Sequence, residues 1–351
     1  MTRKNTRPVM AGKVQIGGGA DISVQSMTNT KTEDHSATID QILRLEEYGC
    51  DIVRVAVPDM QAAKTIAKIK VGIHIPLVAD IHFDYRLALE SMAQGVDKIR
   101  LNPGNIGSKD RVTEVVKMAK KRCIPIRIGV NGGSVSRDIL RKHGSATPQA
   151  LVESAAEHIE ILEQLDFHDI VVSLKTSDVP NTISAYELFS ARYDYPLHVG
   201  ITEAGTVYQG TITSAVGIGS ILSRGIGDTL RVSLTGDSTQ EVKAGIAILK
   251  SLGLRNDGVK IVSCPTCGRC NVDLISIADQ VEKAFANEKR PLKIAVMGCA
   301  VNGPGEAKDA DFGVACGKGE GLLFQQGEIV KKVPEHEIVT ELLKISAQFK
   351  T

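Results

Sequence analysis

Tryptophan is absent from this chain of 351 residues, and all aromatic residues together reach only 4%. Their scarcity removes the stacking platforms on which single-stranded nucleic acids are bound. An excess of charge of either sign is missing too: 42 lysines and arginines face 41 aspartates and glutamates, for a formal net charge of +1. No global field therefore draws the chain to nucleic acid or to an anionic membrane. No stretch of about 18 consecutive apolar residues occurs, so no membrane-spanning helix is expected. The basic segment from Met1 to Pro8 is not followed by the apolar run of a signal peptide. No glycine-rich dinucleotide fingerprint follows the first strand pattern, which argues against a Rossmann-type sheet. The seven cysteines are unevenly clustered, a distribution of reduced thiols rather than disulfides. A cytoplasmic protein is expected.

What is present is ordinary in bulk, with 42% hydrophobic and 24% charged residues, and the length suits a barrel plus an extra module. Eight short apolar, β-branched runs recur at 21–27, 51–57, 76–82, 98–102, 125–131, 169–175, 196–203 and 228–234. Amphipathic stretches such as 38–48, 60–69, 111–121, 148–165 and 239–252 separate them. Continuous apolar strands alternating with helices predict a parallel sheet covered by helices, and eight repeats predict a (β/α)8 barrel of the TIM type. Gly17-Gly18-Gly19 reads as a hairpin turn leading into it. The pattern changes after residue 257 to strands at 259–263, 292–297, 311–315, 322–324 and 328–333, with helices at 273–285 and from Pro334. The α/β chain therefore divides into a barrel domain, 1–257, and a smaller α+β domain, 258–351.

Five barrel strands carry a cation where aliphatic residues belong: Arg54, Arg100, Arg127, Lys175 and Arg231. Strand parity puts Arg100 on one face with Asn102, Arg127 with Asn131, Lys175 with Ser173, Arg231 with Ser233, and Asp80 with His82. Any one of these cations could pair internally or face outward. Five together, with only Asp80 and Glu203 as local counter-charges, call for a ligand with several negative charges, because a buried unpaired cation is costly. Guanidinium forks suit phosphate oxygens, which points to a diphosphate at the C-terminal end of the strands. Glu203 is a counter-ion for Arg231 or, where burial raises its pKa, a proton-transfer group. His82 either contacts phosphate or hydrogen-bonds within the mouth.

Four cysteines concentrate at Cys264-Pro-Thr-Cys267-Gly-Arg-Cys270 and Met297-Gly-Cys299, each thiol beside glycine or proline or on a tight turn. Soft thiolates at such spacing suit a metal or an iron–sulfur cluster. Structural zinc usually takes two Cys-x-x-Cys knuckles, and only one is present. A [4Fe–4S] cluster accepts the pattern in two ways. Cys264, Cys267, Cys270 and Cys299 would make a saturated electron carrier; three cysteines and a carboxylate such as Glu306 would leave one iron open to a substrate oxygen. Cys50 and Cys123 read as small core residues, and Cys316 as structural. Two rival readings are a redox-inactive barrel transferase with a structural metal domain, and an electron-carrying or zinc-ribbon binding module. The second leaves five barrel cations without a ligand.

Longer motifs narrow the choice. They are Gln25-Ser-Met-Thr-Asn-Thr, Val78-Ala-Asp-Ile-His-Phe-Asp-Tyr, Asn102-Pro-Gly-Asn-Ile-Gly, Ile126-Arg-Ile-Gly-Val-Asn, Gly200-Ile-Thr-Glu-Ala-Gly, Gly225-Ile-Gly-Asp-Thr-Leu-Arg-Val-Ser, Cys264-Pro-Thr-Cys267 and Val301-Asn-Gly-Pro-Gly-Glu306. In this order, from about residue 9 to the C-terminus, the chain resembles the family of bacterial 4-hydroxy-3-methylbut-2-en-1-yl diphosphate synthases of the non-mevalonate isoprenoid pathway. It resembles the compact form, with no room for the extra central domain of plant-type members. The resemblance implies a [4Fe–4S] cluster on Cys264, Cys267, Cys299 and Glu306, with Cys270 an extra thiol outside the family pattern. It also implies a homodimer in which one subunit's cluster domain closes over the other's barrel. The implied substrate is 2-C-methyl-D-erythritol 2,4-cyclodiphosphate, opened and dehydrated with two electrons from flavodoxin or ferredoxin. Arg54, His82, Arg100, Arg127, Lys175, Arg231 and Ser233 would hold it, Asn102 and Asn131 would orient it, and Glu203 would transfer a proton.

Overall fold

The structure, a computed structural model, describes residues 2–286, 288–299 and 308–349. The chain divides into two compact units after Arg255.

In the first unit a short hairpin, β1 (Val9–Ala11) and β2 (Val14–Ile16), precedes eight parallel strands. These are β3 (Ser23–Met27), β4 (Ile52–Ala56), β5 (Leu77–Asp80), β6 (Lys98–Arg100), β7 (Ile126–Asn131), β8 (Ile170–Lys175), β9 (His198–Val199) and β10 (Thr229–Leu230). They pair in the order β8-β7-β6-β5-β4-β3-β10-β9. A parallel bridge from Val172 to Leu197 joins the two ends, so the sheet closes as a barrel. Helices α1 (His35–Glu47), α2 (Met60–Val71), α3 (Tyr85–Ala93), α4 (Lys109–Arg122), α5 (Arg137–His143), α6 (Pro148–Glu163), α7 (Val179–Arg192), α8 (Val207–Ser223) and α9 (Ser238–Ser251) surround it.

Alternation decides what each side of a strand meets. Val24, Val53, Val55, Leu77, Ala79, Ile99, Ile126, Ile128, Val172, Leu174, Val199, Leu230 and Val232 belong to one apolar core with the surrounding helices. Their strand neighbours face the barrel interior. At the N-terminal end these are Ile52, Val78 and Val171, which pack against Val9, Ala11 and Ile16, so the hairpin forms an apolar floor. Above the floor the interior is polar. Most helices that follow a strand start on a capping side chain: Asp34, Asp59, Asp84, Asp178 and Asp237 accept hydrogen bonds from first-turn amides.

Two details differ from the sequence reading. The hairpin turn lies at Gly12-Lys13, whereas Gly17, Gly18 and Gly19 all take positive φ and carry the chain from the floor to β3. Within the run from Pro196 to Glu203 the strand covers only His198–Val199, with the closing bridge at Leu197 before it, and Glu203 sits beyond the strand with φ 55°.

The second unit has a five-stranded sheet of β11 (Val259–Ser263), β12 (Leu292–Met297), β13 (Phe312–Cys316), β14 (Glu320–Gln325) and β15 (Glu328–Pro334). The first three are parallel and the last three antiparallel. Helices α10 (Leu274–Ala284) and α11 (Ile338–Gln348) cover an apolar core that includes Ile277, Val281, Ile294, Val296, Phe312, Val314, Ile338 and Leu342. The α+β class expected for this part is what the sheet and helices form.

Candidate active site

The barrel strands bring the five cations to one interior. Asp80, at the end of β5, is the hub: Arg54 Nε lies 3.6 Å from it, Arg100 Nη1 3.4 Å and His82 Nε2 3.7 Å. Burial works to raise the Asp80 pKa, but Arg54, His82 and Arg100 outweigh it and hold the carboxyl well below the usual range. Arg54 also donates to the Met27 sulfur from Nε and Nη2. Burial lowers its pKa to about 10 against the partial support of Asp80.

Arg100 is fixed a second time, through Nη2 to Gly129 O at 3.0 Å. A side chain at Gly129 would forbid this, since an added Cβ would lie 2.7 Å from Arg100 Nε. Glycine inside a strand marks a close approach of this kind. Gly200 makes similar room on β9's extension, where a Cβ would fall 2.6 Å from Lys175 Nζ. Arg127 donates to Ser173 Oγ at 2.7 Å, while its Nε and Nη2 are buried without a partner. Burial, then Arg54 and Arg100, push its pKa far down; for Lys175 the causes are burial, then Arg127 and Arg231. A guanidinium does not lose its proton in a protein. Arg127 therefore stays charged in a buried site beside other cations, which an anionic ligand would relieve.

Arg231 has a partner the sequence reading missed. Glu241 of α9, 4% exposed, lies 3.3 Å from Arg231 Nη2 and also accepts from Ser26 Oγ at 3.0 Å and Leu234 N at 3.0 Å. The counter-charges inside the barrel are thus Asp80 and Glu241, not Asp80 and Glu203. Glu203 is exposed, so the burial on which its proton-transfer role was conditional is not found here. Asn102 spends both amide atoms on Gly129, donating to its O at 3.0 Å and accepting from its N at 2.8 Å. Asn131 caps the turn at Gly132–Ser134. Ser233 is half-buried two residues beyond Arg231. Also unforeseen are Lys98, His198 and Gln25, all interior and almost fully buried. For Lys98 the parity shared with Arg100 was an available signal.

In the second unit Cys264 Sγ accepts a hydrogen bond from Gly298 N at 3.1 Å. Cys270 Sγ borders the same glycine, 2.9 Å from where a Cβ would stand. The backbone N–H of Arg269 leads the causes that lower the Cys267 pKa. Thiols that receive backbone N–H groups are disposed to bind metal as thiolates. Cys299 is half-buried and Cys267 exposed. Among the described residues no three Cys, His, Asp or Glu side chains converge closely enough to hold a metal ion. Glu306 lies outside the described residues. The described thiols thus fit an iron–sulfur cluster in chemistry. Cys50 and Cys316 are buried, and burial pushes each thiol up to about 12. Cys123, expected in the core, is exposed at the C-cap of α4 with φ 53°.

A TIM-type barrel with a polycationic interior, joined to a thiol-bearing α+β unit, defines a barrel enzyme for a multiply charged anion. Residues 6–246 match the family model described as the GcpE TIM-barrel domain and residues 260–348 that of the GcpE protein C-terminal domain. The chain belongs to the GcpE family. It is 58% identical to 4-hydroxy-3-methylbut-2-en-1-yl diphosphate synthase (flavodoxin) of Clostridium perfringens, over 98% of this chain and 99% of that one. The enzymes of the same name from Geobacillus thermodenitrificans and Ruminiclostridium cellulolyticum are each 60% identical, over 97% of this chain and 91% and 97% of theirs. Among solved structures the dihydropteroate synthases of Yersinia pestis and Stenotrophomonas maltophilia align with TM-scores of 0.52 and 0.50, at 12% and 13% identity. They cover 70% and 66% of this chain and 98% and 92% of theirs, a likeness of fold alone. Among the described residues no helix is long and apolar enough to cross a membrane.

Proposed function

We propose that the chain catalyses the two-electron reductive ring opening and dehydration of 2-C-methyl-D-erythritol 2,4-cyclodiphosphate to 4-hydroxy-3-methylbut-2-en-1-yl diphosphate. Relatives nearly the full length of the chain carry the product's name, and the cation surplus of the barrel interior carries the reading from the structure's side. Arg54, Arg100, Arg127, Lys175 and Arg231 face two carboxylates, Asp80 and Glu241. In the reaction a carbon–oxygen bond to phosphate breaks, a hydroxyl leaves as water, and two electrons and one proton are taken up. The cyclic diester becomes a diphosphate monoester with one more negative charge. Cations fixed in advance around that phosphate therefore favour the opened state over the cyclic one, which is the direction catalysis needs.

The flavodoxin in the relatives' names supports flavodoxin as electron donor, with ferredoxin the alternative. Cys264, Cys267, Cys299 and Glu306 are the proposed ligands of a [4Fe–4S] cluster, which when bound supplies the electrons and a Lewis-acidic iron. His82 and Ser233 complete the phosphate contacts. Asn102 and Asn131 are the proposed orienting residues, both at the end of β7, Asn102 through its pair of hydrogen bonds to Gly129. Glu203, on the exposed segment beyond β9, is the proposed proton-transfer group once bound substrate covers it and supplies the burial the free site lacks, and Glu203→Gln is expected to lower kcat at least about 100-fold with little change in substrate affinity. A homodimer belongs to the same reading, with sedimentation of the holoprotein as its test.

Anaerobic incubation of reconstituted protein with the cyclic diphosphate, followed by phosphorus NMR, tests the function. Conversion to the linear diphosphate only when reduced flavodoxin is present supports it. Ring opening without reductant would make the protein a redox-inactive barrel enzyme instead. The ligand set is tested separately by a Mössbauer spectrum of iron-57-enriched protein. One iron distinct from three is expected; four equivalent irons, altered by Cys270→Ala, would exclude Glu306.

A further inference from the structure

The fork of Arg100 is aimed by hydrogen bonds that run back to a helix on the outside of the barrel. Its Nη2 donates to Gly129 O at 3.0 Å, and Asn102 Nδ2 donates to the same oxygen at 3.0 Å. Asn102 Oδ1 in turn accepts from Gly129 N at 2.8 Å. The two amide atoms of Asn102 therefore fix the residue that fixes Arg100. Asn102 itself opens a turn over Pro103–Asn105, closed by Asn105 N donating to Asn102 O at 2.9 Å. At Gly104 this turn meets α6: the Gly104 N–H donates to His158 Nδ1 at 3.2 Å.

Two observations separate this contact from the ordinary packing of a core histidine. The turn is shaped to receive the ring, since a Cβ added at Gly104 would lie 2.8 Å from His158 Cε1 and 3.1 Å from Nδ1. Gly104 is exposed whereas His158 is buried, so water could satisfy the amide and no buried donor depends on the bond. What the bond adds is position. Nδ1 accepts only in the neutral ring, and burial, followed by repulsion from Arg100, keeps the ring neutral. The arginine at one end of this series of bonds thus favours the accepting form of the histidine at the other.

We propose that His158 is a positioning residue: by holding the turn after β6 it sets Asn102 on Gly129 and, through Gly129, the direction in which Arg100 presents its guanidinium. Its effect on substrate rests on the reading of Arg100 as a diphosphate ligand; its effect on Gly129 does not.

Two readouts of the holoprotein test this. Exchange of the Gly129 amide, followed by NMR of protein labelled with nitrogen-15 glycine, needs no substrate. It should be about 5-fold faster in His158→Leu and unchanged in His158→Asn, whose amide oxygen replaces Nδ1 as acceptor. Exchange as slow in His158→Leu as in the wild type would overturn the proposal. Titration of the cyclic diphosphate into oxidised holoprotein should show about 5-fold weaker binding in His158→Leu and recovery in His158→Asn. No further loss is expected when His158→Leu is added to Arg100→Lys, whose ammonium lacks the fork. An equal loss in that background would mean that His158 acts elsewhere, and the proposal would fall. Faster exchange with unchanged affinity would uphold the positioning of Arg100 and count against the diphosphate reading instead. Should His158→Leu not fold, His158→Asn decides: slow exchange there shows that an acceptor at this position suffices, and fast exchange contradicts it.

Discussion

Arg231 keeps its place in the barrel because Glu241 reaches in from α9 and ties it to Ser26 and to the Leu234 amide. Removing one member of a buried ion pair leaves the other uncompensated. Glu241→Gln is expected to lower unfolding free energy by about 2 kcal/mol and to raise KM for the cyclic diphosphate more than it lowers kcat, measured by urea denaturation and steady-state kinetics. A second residue couples the barrel to pH. His158 on α6 accepts from the Gly104 N–H at 3.2 Å, in the Asn102-Pro-Gly-Asn turn. Burial, then repulsion from Arg100, lowers its pKa from 6.5 to about 4. Between these values the unfolded chain binds a proton that the folded barrel refuses. The stability it confers is therefore complete above pH 6.5 and is lost as pH falls toward 4, by up to about 3 kcal/mol. His158→Asn keeps an acceptor without titrating, and its denaturation curve should be correspondingly flatter over that window. At this scale the sequence disclosed charged residues out of place, because a cation in an aliphatic strand stands out locally. It did not disclose Glu241, since a glutamate on an amphipathic helix looks like solvent-facing charge until the strands it meets are known.

Strand parity was the most legible feature at the level of elements. Alternation put Arg100, Arg127, Lys175 and Arg231 each on one face with a polar strand neighbour, the number of cations argued for a shared site, and the residues between them do lie in the helix-facing core. Strand ends were not legible. The run at 196–203 is continuous in sequence, yet Gly200 gives its side-chain space to Lys175 and pairing stops at Val199. The glycine triplet misled for a related reason: positive φ fits any sharp turn, and nothing local says which strands it joins. In the second unit, Gly313 on β13 tests the packing of the sheet. An added Cβ would lie 2.3 Å from the Ala295 carbonyl oxygen and 2.6 Å from Phe324 Cζ. Backbone cannot step aside as a flexible side chain can, so Gly313→Ala should destabilise this unit by about 3 kcal/mol, read by hydrogen exchange of β12 and β13.

Over the whole molecule, a barrel with surplus positive charge and a thiol-bearing unit divide the proposed reaction between them, one for holding a polyanion and the other for electrons. The barrel half was visible from composition and spacing, the reaction only through the longer motifs. The account stands on the claim that the barrel cations hold the cyclic diphosphate. Calorimetric titration of that compound into oxidised holoprotein, which can bind it but lacks electrons to convert it, tests this directly. Arg127→Gln removes a buried guanidinium with two unpartnered N–H groups and should weaken binding about 10- to 100-fold. Affinity unchanged in Arg127→Gln, and likewise in Lys175→Met, would contradict the claim and move the substrate out of the barrel interior.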